Sequence, residues 1–453
     1  MTVRVPEHER LSLGNGVALV LMPRREVPLV AFNAVLRGGG LGDPSSRPGV
    51  ASMVAGLLEK GAGLRNAYAF ADVVEGVGGS FGGGATPEAI TVRGQFLARD
   101  QQLMLELLAD ALLRPLLDGD ELAELAARHI ELVKAAKDSD PAELIGTYGR
   151  AFLFGDHPYG RPVFGSEASL AVIDREDVLR YYEGQFGAER LILVLAGDLD
   201  ADLLARMAAD SFSRWPRTPA PPPVLTRPRA RTGRRVLLVD SPGSAQTYFW
   251  IGNVGVDKRY PRRAALDLVN TLFGGRFTSL LNSELRIKSG LSYGARSSFA
   301  RGSVPGEFSL RSFAQTENTG RALDLALRTL ERLRNEGVTR EMLDSARAYT
   351  LGQYPLGLET AGDWVEMLAE IELYGLGRGY VDDYPAQLAA VGAAEAQAVI
   401  EEAFPSADSV AIVAIGDAAR IRGAVSEYGP VSEMALTDPE FSPPWASGDE
   451  IRP

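Results

Sequence analysis

The chain has 453 residues, 45% of them hydrophobic and 23% charged, with a net charge of −12, no cysteine and three histidines. That length has room for two to four domains of ordinary globular composition. The acidic balance argues against a nucleic-acid partner. The missing cysteines exclude disulfides, thiol catalysis and thiolate metal sites. No apolar run reaches the roughly 18 residues that a membrane span needs.

The histidines are His8, His129 and His157. None lies at i, i+3 or i+4 from another, so no helical pair of imidazoles exists to hold zinc. The N-terminal stretch, residues 1–10, has no signal-peptide core. It points to the cytoplasm, or to the periplasm if a leader has been removed.

In chain order, Val17–Met22 reads as a strand after the turn Gly14-Asn15-Gly16, and Val27–Leu36 as its neighbour. Gly38–Asp43 is rich in glycine, but no Gly-Lys-Ser/Thr follows, so a tight strand-to-helix connection is expected rather than a phosphate loop. A helix over Gly49–Gly61 and a second over Ala67–Gly76 follow. The next strand begins at Ser80, where three glycines and Pro87 weaken pairing. Gly76-x-Gly78 is a poor dinucleotide motif, because a helix precedes it. Arg99–Leu113 and Asp118–Lys137 are helical by periodicity. His157 is read as a structural loop histidine, with no base or metal partner in view. Leu191–Gly197 is a buried strand, and Asp200–Phe212 a helix.

Trp215–Arg235 is a proline-rich linker with a basic run, expected to be extended and stiff. Then the pattern restarts. Val17 to Gly197 and Val236 to Gly416 each enclose the same span of about 180 positions between two apolar strand runs, the mark of an internal duplication. Helices are expected at Thr319–Glu336, Thr339–Gly352, Ala361–Tyr374, Val381–Val391 and Ala393–Phe404. The division that follows is a first domain over 1–214, a linker over 215–235, a second domain over 236–429 and an extended tail over 430–453.

The second repeat carries the chemistry. In Leu272–Ser297, Gly274-Gly275 makes a flexible entry, Thr278 or Ser279 can cap a helix, and Leu281 and Leu285 form its apolar face. Ser289-Gly290 stops the helix, and Leu291-Ser292-Tyr293 alternates like a strand. Arg286 offers a fork of donors, and Tyr293, seven positions on, a single hydroxyl. Aimed at one point, they bind a carbonyl oxygen or the oxyanion it becomes. Apart, they are a surface arginine and a half-buried tyrosine.

This stretch resembles the second-domain motif of the M16 (pitrilysin-like) metallopeptidases, Phe-Gly-Gly-x-x-x-Ser-x-Leu-x-x-x-Leu-Arg-x-x-x-Gly-Leu-x-Tyr, with its Arg/Tyr pair. Gly49–Gly61 is similar to the family's zinc helix, Gly-Leu-Ala-His-x-x-Glu-His-x-x-x-Lys-Gly, in Gly49, Ala51, Lys60 and Gly61. Where the family has His, Glu and His, however, this chain has Ser52, Ala55 and Gly56. Neither Ser52 nor Gly56 is a zinc ligand, and Ala55 is no general base. Glu131–Lys134 lies where the family's distal Glu would complete the metal site. Gly155–Pro162 also fits the family.

The resemblance implies an α+β fold of two homologous domains, each a mostly antiparallel sheet with helices packed on one face. It implies no metal in this chain, and zinc in a homologous partner subunit bearing His-x-x-Glu-His. Arg286 and Tyr293 would bind the substrate carbonyl and the transition state, and Gly274 and Gly275 the substrate. The chain would be inactive alone and part of a zinc metalloendopeptidase only in complex. The alternative is an inert structural or peptide-binding relative. A long glycine-rich loop like that of the mitochondrial processing peptidases is absent at Gly274-Gly275, so presequence processing is not implied.

Overall fold

The computed structural model describes residues 3–219 and 224–443. Of the expected linker and tail, Pro221, Pro222 and Pro223, and Pro444, Trp445 and Pro453, lie outside the described residues. No helix among the described residues is long and apolar enough to cross a membrane.

The chain forms two compact units, each built on a six-stranded sheet. The first sheet uses β1 (Glu9–Ser12), β2 (Ala18–Pro23), β3 (Leu29–Arg37), β6 (Ser80–Ala85), β7 (Ala89–Leu97) and β8 (Leu191–Gly197), in the order β1-β2-β8-β3-β7-β6. A small ribbon of β4 (Gly61–Ala62) and β5 (Arg65–Asn66) stands apart from it. The second sheet uses β9 (Arg235–Asp240), β10 (Gln246–Val254), β11 (Ala295–Arg301), β12 (Pro305–Gln315), β13 (Ala411–Gly416) and β14 (Val431–Ala435), in the order β11-β12-β10-β13-β9-β14. Read from opposite ends, five strands of the two orders correspond. The sixth differs, since β1 precedes its repeat and pairs antiparallel with β2, while β14 follows its repeat and pairs in parallel with β9.

In both sheets the first strand of the repeat pairs in parallel with the last: Ala18 with Ile192, and Val236 with Ile412. The strands between them pair antiparallel. The repeated apolar runs are therefore the inner, parallel pair of each sheet. The α+β class and the two homologous, mostly antiparallel sheets are as the sequence implies.

Side-chain alternation places one large core on one face of each sheet. Leu19, Phe32, Leu193 and Val92 face the first core, together with α1 (Val50–Leu57), α3 (Gln101–Leu113) and part of α4 (Gly119–Ser139). Phe249, Ile251, Ile412 and Leu310 face the second.

The opposite faces are not bare, which differs from the expectation of helices on one face alone. The Ala361–Tyr374 helix packs on β3 and β8, where Ala31, Val35, Ile192 and Val194 are buried. The helix α5 (Ile145–Phe154) packs on β10 and β13, where Trp250, Val413 and Ile415 join Tyr148 and Phe152 in a third core. A sheet apolar on both faces needs a layer on each.

These helices redraw the domains. The first unit comprises 1–131, 162–224 and 355–382; the second comprises 132–161, 225–354 and 383–453. Each repeat gives one helix to the other repeat's sheet, so the contiguous domains over 1–214 and 236–429 do not describe the packing. The tail is also not wholly separate. Residues 431–435 form an edge strand beside β9, and Phe441 meets the Tyr148 ring edge-on at 5.0 Å.

Candidate functional site

The site is built on the loop and helix between α-helical Arg263–Asn270 and β11. Thr271–Gly275 continues that helix as a wide π-turn. At its end, a Cβ on Gly274 would lie 2.4 Å from the Ser297 backbone nitrogen, so glycine is required for the turn to press against β11. Gly274 is buried, while Gly275 is exposed. Asn270 and Ser297 bond to each other across the same junction, the hydroxyl donating to Asn270 Oδ1 at 2.7 Å.

Ser279 caps the next helix, Leu280–Asn282, accepting from the Asn282 N–H. Leu281 and Leu285 are fully buried in the second core, as their spacing predicts. From Ser283 to Lys288 the helix widens to π geometry: the Ser289 N–H donates to the Glu284 carbonyl, five residues back. The Ser289 hydroxyl serves the Glu284 and Leu285 carbonyls at 2.7 and 3.0 Å. Such π segments frequently mark functional sites, and this one carries Arg286.

Leu291–Tyr293 is not a strand; β11 starts at Ala295. The alternation of Leu, Ser and Tyr imitates one, but the Ser292 side chain folds back locally. Its Oγ accepts the Gly294 N–H at 3.1 Å, a turn that competes with strand pairing. The Ser292 N–H donates to the Leu285 carbonyl at 2.9 Å, and the Ser312 hydroxyl sits 3.0 Å from Ser292 Oγ. Asn282 Oδ1 accepts the Ala295 N–H at 2.9 Å. The turn bearing Tyr293 is thus tied to the helix bearing Arg286 and to β12.

The result is a contact between the two expected residues. The Arg286 guanidinium carbon lies 4.2 Å from the centroid of the Tyr293 ring and 4.7 Å from that of Phe277. Two aromatic faces therefore hold the guanidinium, leaving its in-plane N–H groups free to bond outward. Among the described residues, neither that guanidinium nor the Tyr293 hydroxyl makes a hydrogen bond or ion pair. Tyr293 is 75% exposed and Phe277 58%. Glu284, two positions away in sequence, is engaged elsewhere: Lys288 and Arg332 both donate to its Oε1 at 2.9 Å. The Lys288 bond, reinforced by Arg332, holds its carboxyl below the usual carboxylate range.

Phe277 is the site residue that sequence reasoning missed. Its one signal is an aromatic side chain in a polar loop just after a Gly-Gly pair.

The degenerate zinc helix is α1, in the first unit. Ser52 and Ala55 are buried, and the glycine-rich β6 lies directly on the helix backbone: a Cβ on Gly83 would meet the Ala55 carbonyl oxygen at 1.9 Å. The glycines expected to weaken β6 are what let it approach, and it still pairs with β7 over its whole length. A Cβ on Gly56 would meet Leu125 Cδ2 at 2.7 Å. Hydrophobic packing thus occupies the positions where zinc ligands would stand. No group of three or more His, Cys, Asp or Glu suited to a metal occurs among the described residues. The side chains present at Ser52, Ala55 and Gly56 do not fit zinc. Glu131 lies on an exposed stretch of α4, and His157 bonds the Thr226 carbonyl at 2.9 Å, as a structural loop histidine does.

Comparisons with known proteins give the family. Residues 20–166 match the family model Insulinase (Peptidase family M16), and residues 173–349 match Peptidase M16 inactive domain. The chain belongs to the M16 peptidase family. It is 27% identical over 376 residues to an uncharacterized zinc protease of Mycobacterium leprae, covering 82% of this chain and 83% of the relative. It is 23% identical over 337 residues to the non-peptidase homolog YmxG of Helicobacter pylori, covering 74% and 77%. Among solved structures, an M16 inactive domain from Pseudomonas fluorescens aligns with a TM-score of 0.83 at 24% identity, over 91% of this chain and 98% of that one. A Helicobacter pylori protease aligns with a TM-score of 0.82 at 19% identity, over 91% and 100%. Within M16, this chain is of the inactive type, without the His-x-x-Glu-His motif.

Proposed function

We propose that this M16 chain is the non-zinc subunit of a heterodimeric peptidase, with a homologous His-x-x-Glu-His subunit supplying the metal. The observation that carries the reading is the Arg286–Tyr293 contact at 4.2 Å, with both sets of donors unbonded among the described residues, the tyrosine exposed and the arginine half-buried. A fork of N–H donors and a hydroxyl held side by side on a tied helix and turn suit a carbonyl oxygen that gains charge as a tetrahedral intermediate forms. Ser292, Asn282 and Ser289 fix the turn beforehand, so little ordering remains for the moment of reaction. In the same loop, Gly275 is the glycine available to a peptide backbone, since Gly274 is buried.

The test is co-expression with a homologue bearing His-x-x-Glu-His. Tyr293→Phe or Arg286→Ala is expected to lower peptide turnover roughly 100- to 1,000-fold while the complex stays assembled. Unchanged turnover in both variants would refute the reading. It would leave the inert peptide-binding or structural relative, which the inactive-domain match and the non-peptidase relative favour.

A further inference from the structure

The surroundings of Arg286 carry a statement about the ligand beyond the peptide bond. We propose that the Phe277–Arg286–Tyr293 cluster selects acidic peptides, taking an Asp or Glu side chain in the plane of the guanidinium. This rests on the reading that the loop faces a peptide.

Charge is the first argument. The whole chain carries −12, yet this corner is cationic. Arg286 has no carboxylate partner among the described residues. Arg276, the residue before Phe277, bonds only the backbone oxygen and hydroxyl of Ser345, at 3.1 and 3.0 Å. The one carboxylate built into the turn, Glu284, is shared by two cations. A positive island on a negative molecule draws in the negative part of a ligand.

Geometry is the second. The guanidinium lies over two rings, 4.2 Å from the Tyr293 centroid and 4.7 Å from that of Phe277, so its planar surface is taken up by stacking. Its edge carries five N–H donors, more than one peptide carbonyl oxygen uses, and a remaining pair matches the two oxygens of a carboxylate. The exposed rings of Phe277 and Tyr293, with Ile287 at 59% exposure, offer apolar surface to the methylenes of the bound side chain.

The experiment is fluorescence anisotropy on the full chain, with two labelled nonapeptides, both C-terminally amidated. They are identical except that a central Asp-Glu pair in one is Asn-Gln in the other. Charge-assisted bonds exceed neutral ones by enough to give the acidic peptide about tenfold tighter binding at low salt. That advantage should shrink as salt is raised. It should vanish in Arg286→Gln and persist in Arg229→Gln, which alters an exposed arginine of the linker. Equal binding of both peptides by the native chain overturns the proposal. So does an advantage that survives Arg286→Gln, or binding seen only when the C-terminal carboxylate is left free. Cleavage by the co-expressed pair that ignores Arg286→Ala, with the acidic preference intact, sinks the peptidase reading alone. Arg286-dependent cleavage with no acidic preference sinks only this inference.

Discussion

Gly83 of β6 lies so close to Ala55 of α1 that a single added methyl would sit 1.9 Å from the helix carbonyl oxygen. Gly83→Ala must therefore push strand and helix apart, and overpacking of this kind costs about 1–3 kcal/mol. A urea titration against the parent chain would measure it. An unchanged midpoint would mean that β6 is free to move away from the helix.

The same contact bears on metal content. Restoring the motif as Ser52→His, Ala55→Glu and Gly56→His places large side chains where Gly83 and Leu125 already lie. The expected outcome is a lower melting temperature and no stoichiometric zinc after dialysis against the metal. Zinc bound at one equivalent, by the graft or by the parent chain, would contradict the packing described.

Removing the donors should be nearly silent for stability. Neither the Tyr293 hydroxyl nor the Arg286 guanidinium has a hydrogen-bond partner among the described residues, so Tyr293→Phe and Arg286→Ala should stay within about 0.5 kcal/mol of the parent. Phe277→Ala should do the same while weakening whatever Arg286 binds, because the guanidinium loses one of its two walls. Thermal melts and peptide titrations of all three, run side by side, separate function from folding.

The exchanged helices should be expensive to damage. Trp364, 3% exposed on the Ala361–Tyr374 helix, and Tyr148, fully buried on α5, are large side chains with no route to solvent. Alanine at either should cost about 3–5 kcal/mol. The damage should appear in the partner repeat's sheet, read as hydrogen exchange in β3 and β8 for Trp364→Ala and in β10 and β13 for Tyr148→Ala.

Acid should weaken the first unit through His129. Burial first, and then the Arg128 charge, hold its imidazole below the ordinary value of 6.5. As pH falls, the unfolded chain takes up that proton before the folded one does. The contribution is intact above pH 6.5 and is lost as pH drops toward the folded-state value. His129→Gln should flatten the fall in stability below that pH, measured by urea titrations across the range. An equally steep fall in the variant would assign it to other groups.

Much of the fold was legible from local pattern. The continuous apolar run Leu191–Ala196 could only be a strand covered on both faces, and every one of those residues is buried. The equal spans of the two repeats foretold two sheets built alike, and five of the six strands correspond. What covers the second face was not legible, because the apolar stripe of Ile145–Phe154 shows that it must be buried but not against which sheet. The Arg286–Tyr293 contact followed from spacing and family likeness. The Phe277 wall did not, since it depends on how the loop after Gly275 turns. Ser292 misled for a related reason: a hydroxyl that bonds its own backbone leaves no trace in hydrophobic alternation.

Reciprocal helix exchange also limits how such a chain can be divided. A gene encoding one repeat alone would make a sheet with an uncovered apolar face and a helix with no sheet to rest on. Only a second copy, fused or separate, satisfies both needs at once. Cutting between the repeats therefore does not yield two miniature proteins, and any engineering by recombination must move the lent helix along with the strands that receive it.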